Sequence, residues 1–198
     1  LGARSLKRAF DALLPTRARV GSSSLRRRCS LLAVRPDLQI EPLRGNVDTR
    51  LRKLAAGEFD AIVLAAAGLA RLGFGRETLP SHLSLPARHW LPAVAQGLLA
   101  IETRGDHSEL ETLLTPLEDS ESRLQAAAER GVLEALGADC TVPLAAFARV
   151  EGGQLRLSAK LWRQQGHAAE AEAEAPCGEA SAAIVLGRQV GRRLSAAF

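Results

Sequence analysis

The chain has 198 residues, 46% hydrophobic and 24% charged, with a net charge of +4. That is enough for one large or two small domains with packed cores, and it excludes a disordered chain. No apolar run reaches the roughly 18 residues a membrane helix needs, and the opening segment, carrying Arg4, Lys7, Arg8 and Asp11, does not read as a secretory leader.

Leu1 to Leu14 has a helix-like pattern. A short strand is predicted near Arg19–Ser22, after which Ser23 or Ser24 can cap a helix to about Val34 that Pro36 stops. Residues 38–43 alternate as a strand, Asn46 caps a helix through Ala56, and Gly57 sits where such helices stop. Residues 60–65 read as a buried parallel strand, followed by a short helix around Ala67–Leu72 ending at Gly73. Strand, helix, strand, helix, strand is an α/β unit, in which ligands bind beyond the carboxyl ends of the strands.

Residues 75–90 are loop-like, and Leu91–Arg104 reads as extended chain with a glycine break at Gly97. A long helix is predicted at Ser120–Leu136, capped by Asp119 or Ser120 and closed by Gly137, with Leu124, Ala127, Ala128, Val132 and Leu136 at helical spacing. Val142–Val150 and Gln154–Trp162 form a hairpin over Glu151-Gly152-Gly153. His167–Ala175 alternates Ala and Glu, as a strand with one wet face does, and Gly178–Ala197 closes the chain as an amphipathic helix. The second half is therefore a small α+β domain.

Charge is divided along the chain. Residues 1–76 hold 15 Lys and Arg against 6 Asp and Glu, a net +9, whereas residues 77–198 hold 11 against 16, a net −5. The basic half is expected to meet an anionic partner. Only Lys7, Lys53 and Lys160 are lysine, and arginine suits bidentate carboxylate binding, although a GC-rich genome gives the same bias. The arginines gather where strands hand over to helices, in Arg19-Val20-Gly21-Ser22-Ser23-Ser24-Leu25-Arg26-Arg27-Arg28 and in Leu43-Arg44-Gly45-Asn46-Val47-Asp48-Thr49-Arg50. Helix N-termini with free N–H groups, hydroxyls and guanidinium forks make sockets for anions. Arg26 and Arg27 cannot point the same way on a helix, so they are expected to grip different carboxylates. A capped helix with a solvated basic face is the plain alternative, and Arg71 alone is a weak functional signal.

Cys29, Cys140 and Cys177 show no metal-ligand spacing, so no metal site is expected, and their odd number and wide spacing fit a reducing cytoplasm. Cys140 lies on a loop after the helix stop at Gly137, where a thiol can be an attachment point or a half-buried structural residue. Asp139 beside it would raise its pKa. His82, His89, His107 and His167 are scattered and assigned no catalysis. Nucleic acid is not an expected partner, because aromatics make up only 4% and no recognition motif is present.

Taken together, residues 20–27, 43–54 and 57–69, with Leu91-Pro92-Ala93-Val94-Ala95-Gln96-Gly97, Ile101-Glu102 and the cysteine loop before Val142-Pro143, resemble the porphobilinogen deaminase (hydroxymethylbilane synthase) family. The resemblance implies a transferase of tetrapyrrole (haem) biosynthesis. It condenses four porphobilinogen molecules into hydroxymethylbilane, releases ammonia, and is cytoplasmic and monomeric when full length. It implies a dipyrromethane cofactor on Cys140, and carboxylate binding by Ser24, Arg26, Arg27, Arg44, Arg50 and Arg71. It implies a periplasmic-binding-protein-like α/β domain followed by a small α+β domain with a three-stranded antiparallel sheet and helices on one face. Residues 1–90 are then the second α/β domain, 91–105 a returning strand of a mostly absent first domain, and 106–198 the domain carrying the cysteine.

The chain departs from the family pattern in having Ala95 for a glycine, Ala138-Asp139 for a glycine pair and Thr103 for a cysteine. No segment matches the family's His-Ser-x-Lys-Asp stretch with its catalytic aspartate. The expectation is a fragment or trimmed product, inactive alone and with no catalytic residue of its own. A non-catalytic anion-binding module of periplasmic-binding or regulator-sensor type is the alternative.

Overall fold

The computed structural model describes residues 3–75, 77–79, 81–106, 108–138, 141–164 and 167–197. The chain divides into two compact units, Leu1–Trp90 with Trp162–His167, and Leu91–Leu161 with Ala168–Phe198.

The first unit opens with α1 (Ala3–Leu13) and continues as β1 (Arg19–Gly21), α2 (Leu25–Val34), β2 (Gln39–Glu41), α3 (Val47–Ala55), β3 (Ala61–Ile62) and α4 (Ala66–Arg71). The strands form a parallel sheet in the order β2-β1-β3, with Val20 opposite both Ile40 and Ala61. Helix starts and stops follow local chemistry. Ser24 caps α2 by accepting from Arg27 N, and Asn46 caps α3 by accepting from Thr49 N. Helix α3 ends at Gly57 (φ 73°), with Glu58 N donating to Lys53 O and Gly57 N to Leu54 O, the paired bonds of a Schellman stop.

The buried Phe10, Ala18, Val20, Leu31 and Leu38 form the core of this unit, and Phe10 meets Trp90 edge-on at 6.1 Å. Arg35, only 7% exposed, organises one end of it. Its guanidinium pairs with both oxygens of Asp37 and donates to the carbonyls of Phe10, Leu14 and Pro15, so it fastens the chain where α1 ends.

Strand β3 is shorter than expected. It occupies a sheet edge, pairs with β1 only, and leaves the ladder at Val63, so its two residues are half-buried.

The second unit contains α5 (Ser108–Leu114), a 3-10 turn (Thr115–Leu117), α6 (Ser120–Leu136), β4 (Leu144–Glu151), most of β5 (Gln154–Gln164) and of β6 (His167–Pro176), and α7 (Ala180–Ala196). The sheet order is β4-β5-β6. Leu144 pairs with Leu161 and Glu151 with Gln154 in the antiparallel hairpin. On the wet face Arg156 meets Glu174, Ser158 meets Glu172 and Lys160 meets Glu170, so β6 also runs antiparallel to β5. The alternate residues Leu144, Ala146, Ala148, Leu155, Leu157, Ala159 and Ala169 face Ala128, Val132, Leu186, Val190 and Leu194 of α6 and α7. The alternating pattern of β6 is thus a two-faced strand, as its sequence predicts.

Residues 91–104, expected as a strand, form none. An extended segment needs a neighbour along its length for its N–H and C=O groups, and the segment joins neither described sheet as a paired strand. The segment turns instead at Ala93–Gln96 and leaves Leu99 and Ile101 exposed. It is tied down at Pro92, whose carbonyl accepts from Ala146 N. Glu129, 5% exposed, accepts from Ala95 N at 2.6 Å and from Ala148 N at 2.8 Å. These bonds occupy the outer N–H groups of the edge strand β4.

Candidate carboxylate-binding site

All three parallel strands of the first unit end at one edge, and α2, α3 and α4 begin there. The loops leaving the strands are joined to one another. Ser22 N donates to Glu41 O at 2.8 Å, extending the β1–β2 ladder. Beyond it the Ser23 hydroxyl accepts from Leu43 N at 3.0 Å and donates to Leu43 O at 2.9 Å. Arg27 Nη1 donates to Val63 O at 2.9 Å, linking α2 to the end of β3. Arg50 Nε donates to Gly45 O at 2.7 Å, folding that side chain back over the loop before α3. Gly45 (φ 114°) must be glycine, because a Cβ there would lie 2.7 Å from Thr49 Cγ2.

Arg27 lies close enough to Arg26 on one side and to Arg50 on the other for the like charges to oppose each other. Arg26 is 6% exposed; burial, and then the neighbouring Arg27 charge, lowers its pKa to about 10. Arg27 is also lowered, first by burial and then by Arg50. A desolvated cluster of like charges is costly until an anion neutralises it. With the helix N-termini beside it, the cluster is chemically suited to several carboxylates on one ligand. Arg44 is exposed on the loop that carries Gly45. The Ser24 hydroxyl accepts from Arg27 N in capping α2, a role that uses its acceptor side only.

Arg71 is placed differently. It is exposed in the last turn of α4, a helix length from the strand ends, and no described contact joins it to the other arginines. Cys140 and Asp139 lie outside the described residues. Cys29 and Cys177 are free and half-buried, and burial pushes the Cys29 thiol up. Sequence reasoning missed Ser23 as a link between the two arginine loops and the Val63 carbonyl as a partner of Arg27. Only the hydroxyl run at 22–24 hinted at the first.

The parallel sheet with a basic, hydroxyl-bearing rim at its carboxyl edge defines an α/β protein. Two family profiles match the chain: "Porphobilinogen deaminase, dipyromethane cofactor binding domain" over residues 5–112, and "Porphobilinogen deaminase, C-terminal domain" over residues 123–196. The chain is 47% identical over 191 residues to the porphobilinogen deaminase of Stenotrophomonas maltophilia (strain R551-3), covering 96% of this chain and 61% of the relative. It is 50% identical over 155 residues to that of Roseiflexus sp. (strain RS-1), covering 78% and 50%. It is 47% identical over 184 residues to that of Xanthomonas axonopodis pv. citri (strain 306), covering 91% and 58%.

The chain belongs to the porphobilinogen deaminase family. It spans between half and about three-fifths of the length of these relatives. The reading as a non-catalytic sensor module is set aside by these matches. Among the described residues no helix is long and apolar enough to cross a membrane.

Proposed function

We propose that this chain is the carboxylate-holding and cofactor-anchoring part of a porphobilinogen deaminase. That transferase condenses four porphobilinogen molecules into hydroxymethylbilane with release of ammonia. The supporting observation is the rim at which Arg27 neighbours both Arg26 and Arg50, the first two desolvated, with the two helix starts joined through Ser23 and Leu43. A porphobilinogen-derived chain carries acetate and propionate groups on every ring, and fixed guanidinium groups neutralise them at low reorganisation cost.

A dipyrromethane, when bound, supplies the primer to which porphobilinogen units are added. The residues described here fit such a polycarboxylate. Arg27 and Arg50 orient its acidic side chains, Arg26 supplies a charge screened from water, and Arg44 and Arg71 meet carboxylates farther out. Cys140 is the attachment thiol in this reading. These residues bind and position rather than move the ammonia-releasing proton, so the 198 residues alone hold the ligand without completing the condensation. In the same reading residues 1–90 are one of a pair of periplasmic-binding-protein-like domains, 91–105 a returning segment and 106–198 the cysteine-bearing domain. The whole enzyme is a cytoplasmic monomer.

The test is calorimetric titration of the chain with a synthetic dipyrromethane bearing two acetates and two propionates. Arg27→Leu and Arg50→Leu should each weaken binding about tenfold or more, in line with charge-assisted bonds of roughly 1.5–3 kcal/mol. Variants that bind as tightly as the parent chain would overturn the assignment. Intact mass of the full-length enzyme tests Cys140 separately: an added mass of two pyrrole units is expected on the parent and none on Cys140→Ser.

A further inference from the structure

Ser23 occupies a position that neither the family resemblance nor the charge pattern singles out. Two residues past the end of β1, it stands opposite Leu43, two residues past the end of β2. There the backbone ladder gives way. The last backbone bond is Ser22 N to Glu41 O, and the next rung is made by a side chain, with the Ser23 hydroxyl accepting from Leu43 N and donating to Leu43 O. Both hydrogen-bonding capacities of the hydroxyl are thereby used inside the protein.

The residues flanking this rung carry the site. Ser24 caps the helix bearing Arg26 and Arg27. Arg44 follows Leu43, and Gly45 O holds Arg50 Nε. Arg27 and Arg50 lie near enough for each charge to oppose the other, and they stand on the two helices whose entry loops this rung joins.

We infer that Ser23 is a positioning residue: its hydroxyl pins the two arginine-bearing loops at the separation a polycarboxylate needs, without itself touching the ligand. The inference rests on the proposed function for the identity of the ligand, and the pin can be tested apart from it.

Hydrogen exchange followed by NMR on the unliganded chain addresses the pin. In Ser23→Ala the Leu43 amide should exchange at least tenfold faster, while the Val20 and Leu31 amides in the core of the same unit report an intact fold. Ser23→Thr should restore protection. An unchanged Leu43 amide in Ser23→Ala overturns the inference whatever the ligand does. Calorimetry addresses its purpose. Ser23→Ala should weaken the dipyrromethane tetracarboxylate at least tenfold but inorganic sulfate, which one loop can hold, less than twofold. Ser23→Thr should return the tetracarboxylate to within threefold of the parent chain. Equal loss for both anions overturns the positioning role. A parent chain that shows the protected Leu43 amide yet binds no tetracarboxylate refutes the proposed function and, with it, the role of the pin in binding.

Discussion

Gly131 and Gly187 meet where helices α6 and α7 cross. A methyl group on Gly187 would lie 2.0 Å from the Ala128 carbonyl oxygen and 2.9 Å from Gly131 Cα, and one on Gly131 would lie 2.4 Å from Ile184 O. Gly191 continues the contact one turn on, with a Cβ placed 2.7 Å from that of Ala135. The helices therefore approach backbone to backbone, and the glycines are needed for space, not for unusual dihedrals.

Gly187→Ala accordingly sets two effects against each other. Helix propensity favours alanine by about 1 kcal/mol. Overpacking against fixed backbone costs about 3 kcal/mol at the upper end of the usual range. The collision is with a carbonyl that cannot rotate away, so the second effect wins. A net loss of about 2 kcal/mol is expected in urea denaturation, whereas Gly178→Ala, where the added methyl meets nothing closer than 4.0 Å, is the control.

Ala95 is one of two non-glycine residues with positive φ among the described residues, at 58°. The family pattern has glycine at this position, and the backbone conformation explains why. A left-handed alanine costs roughly 1–2 kcal/mol, while glycine gives back about 0.4–1 kcal/mol through the unfolded chain. Ala95→Gly should therefore stabilise the chain by on the order of 0.5 kcal/mol, read as a rise in the urea midpoint at unchanged slope.

What could be read from sequence was largely local. The caps Ser24, Asn46 and Asp119 and the stops Gly57, Gly73 and Gly137 act within one helical turn, and they delimit α2, α3, α4 and α6 in the structure. The alternation in β6 was legible because one face is buried on helices and the other bears charges. Long-range effects were not legible. Residues 91–104 have a strand's composition, but a strand requires a partner. Helix α5 has only seven residues, too few for a periodic signal. The burial of Arg26 and Arg35 and the Ser23 link depend on how loops meet, which no spacing encodes. The sequence grouped Arg71 with the rim only through the family resemblance.

Glu129 joins the Ala93–Gln96 turn to β4, each carboxyl oxygen accepting one backbone N–H. Burial pushes its pKa up, and the bonds from Ala148 and Ala95 only partly oppose this. A carboxyl whose folded pKa exceeds its unfolded value favours the native state when protonated. Its contribution is present below about pH 4.3, the ordinary glutamate value, and is lost as pH rises through the folded pKa. Glu129→Gln should remove that slope. It also turns an amide N–H toward a backbone donor, at a cost of about 1–3 kcal/mol at pH 7. Urea midpoints from pH 4 to 8 for both proteins check both effects.

Asp37 has the opposite sign. Paired hydrogen bonds from Arg35, supported by Arg17 N–H, hold its carboxyl well below the usual range. Its stabilising contribution is present above about pH 4 and is lost as pH falls through the folded pKa. Asp37→Asn should lower stability at pH 7 and flatten the acid limb below pH 4. It also leaves Arg35, which still reaches Asp11 and three carbonyls, without its bidentate partner. An acid limb as steep as that of the parent chain would show that the pair contributes nothing to folding.

Arg26 separates stability from binding. Its charged form is disfavoured by burial and by Arg27, with the pKa lowered to about 10. Replacing it with an apolar side chain of similar length removes a desolvated charge and relieves the repulsion. Arg26→Met should therefore raise the stability of the unliganded chain by roughly 1 kcal/mol. The same change should weaken the dipyrromethane tetracarboxylate about tenfold or more, because a guanidinium screened from water gives its strongest bonds to carboxylates. Paired measurement of urea midpoint and calorimetric affinity distinguishes this from a structural arginine, for which both quantities would fall together.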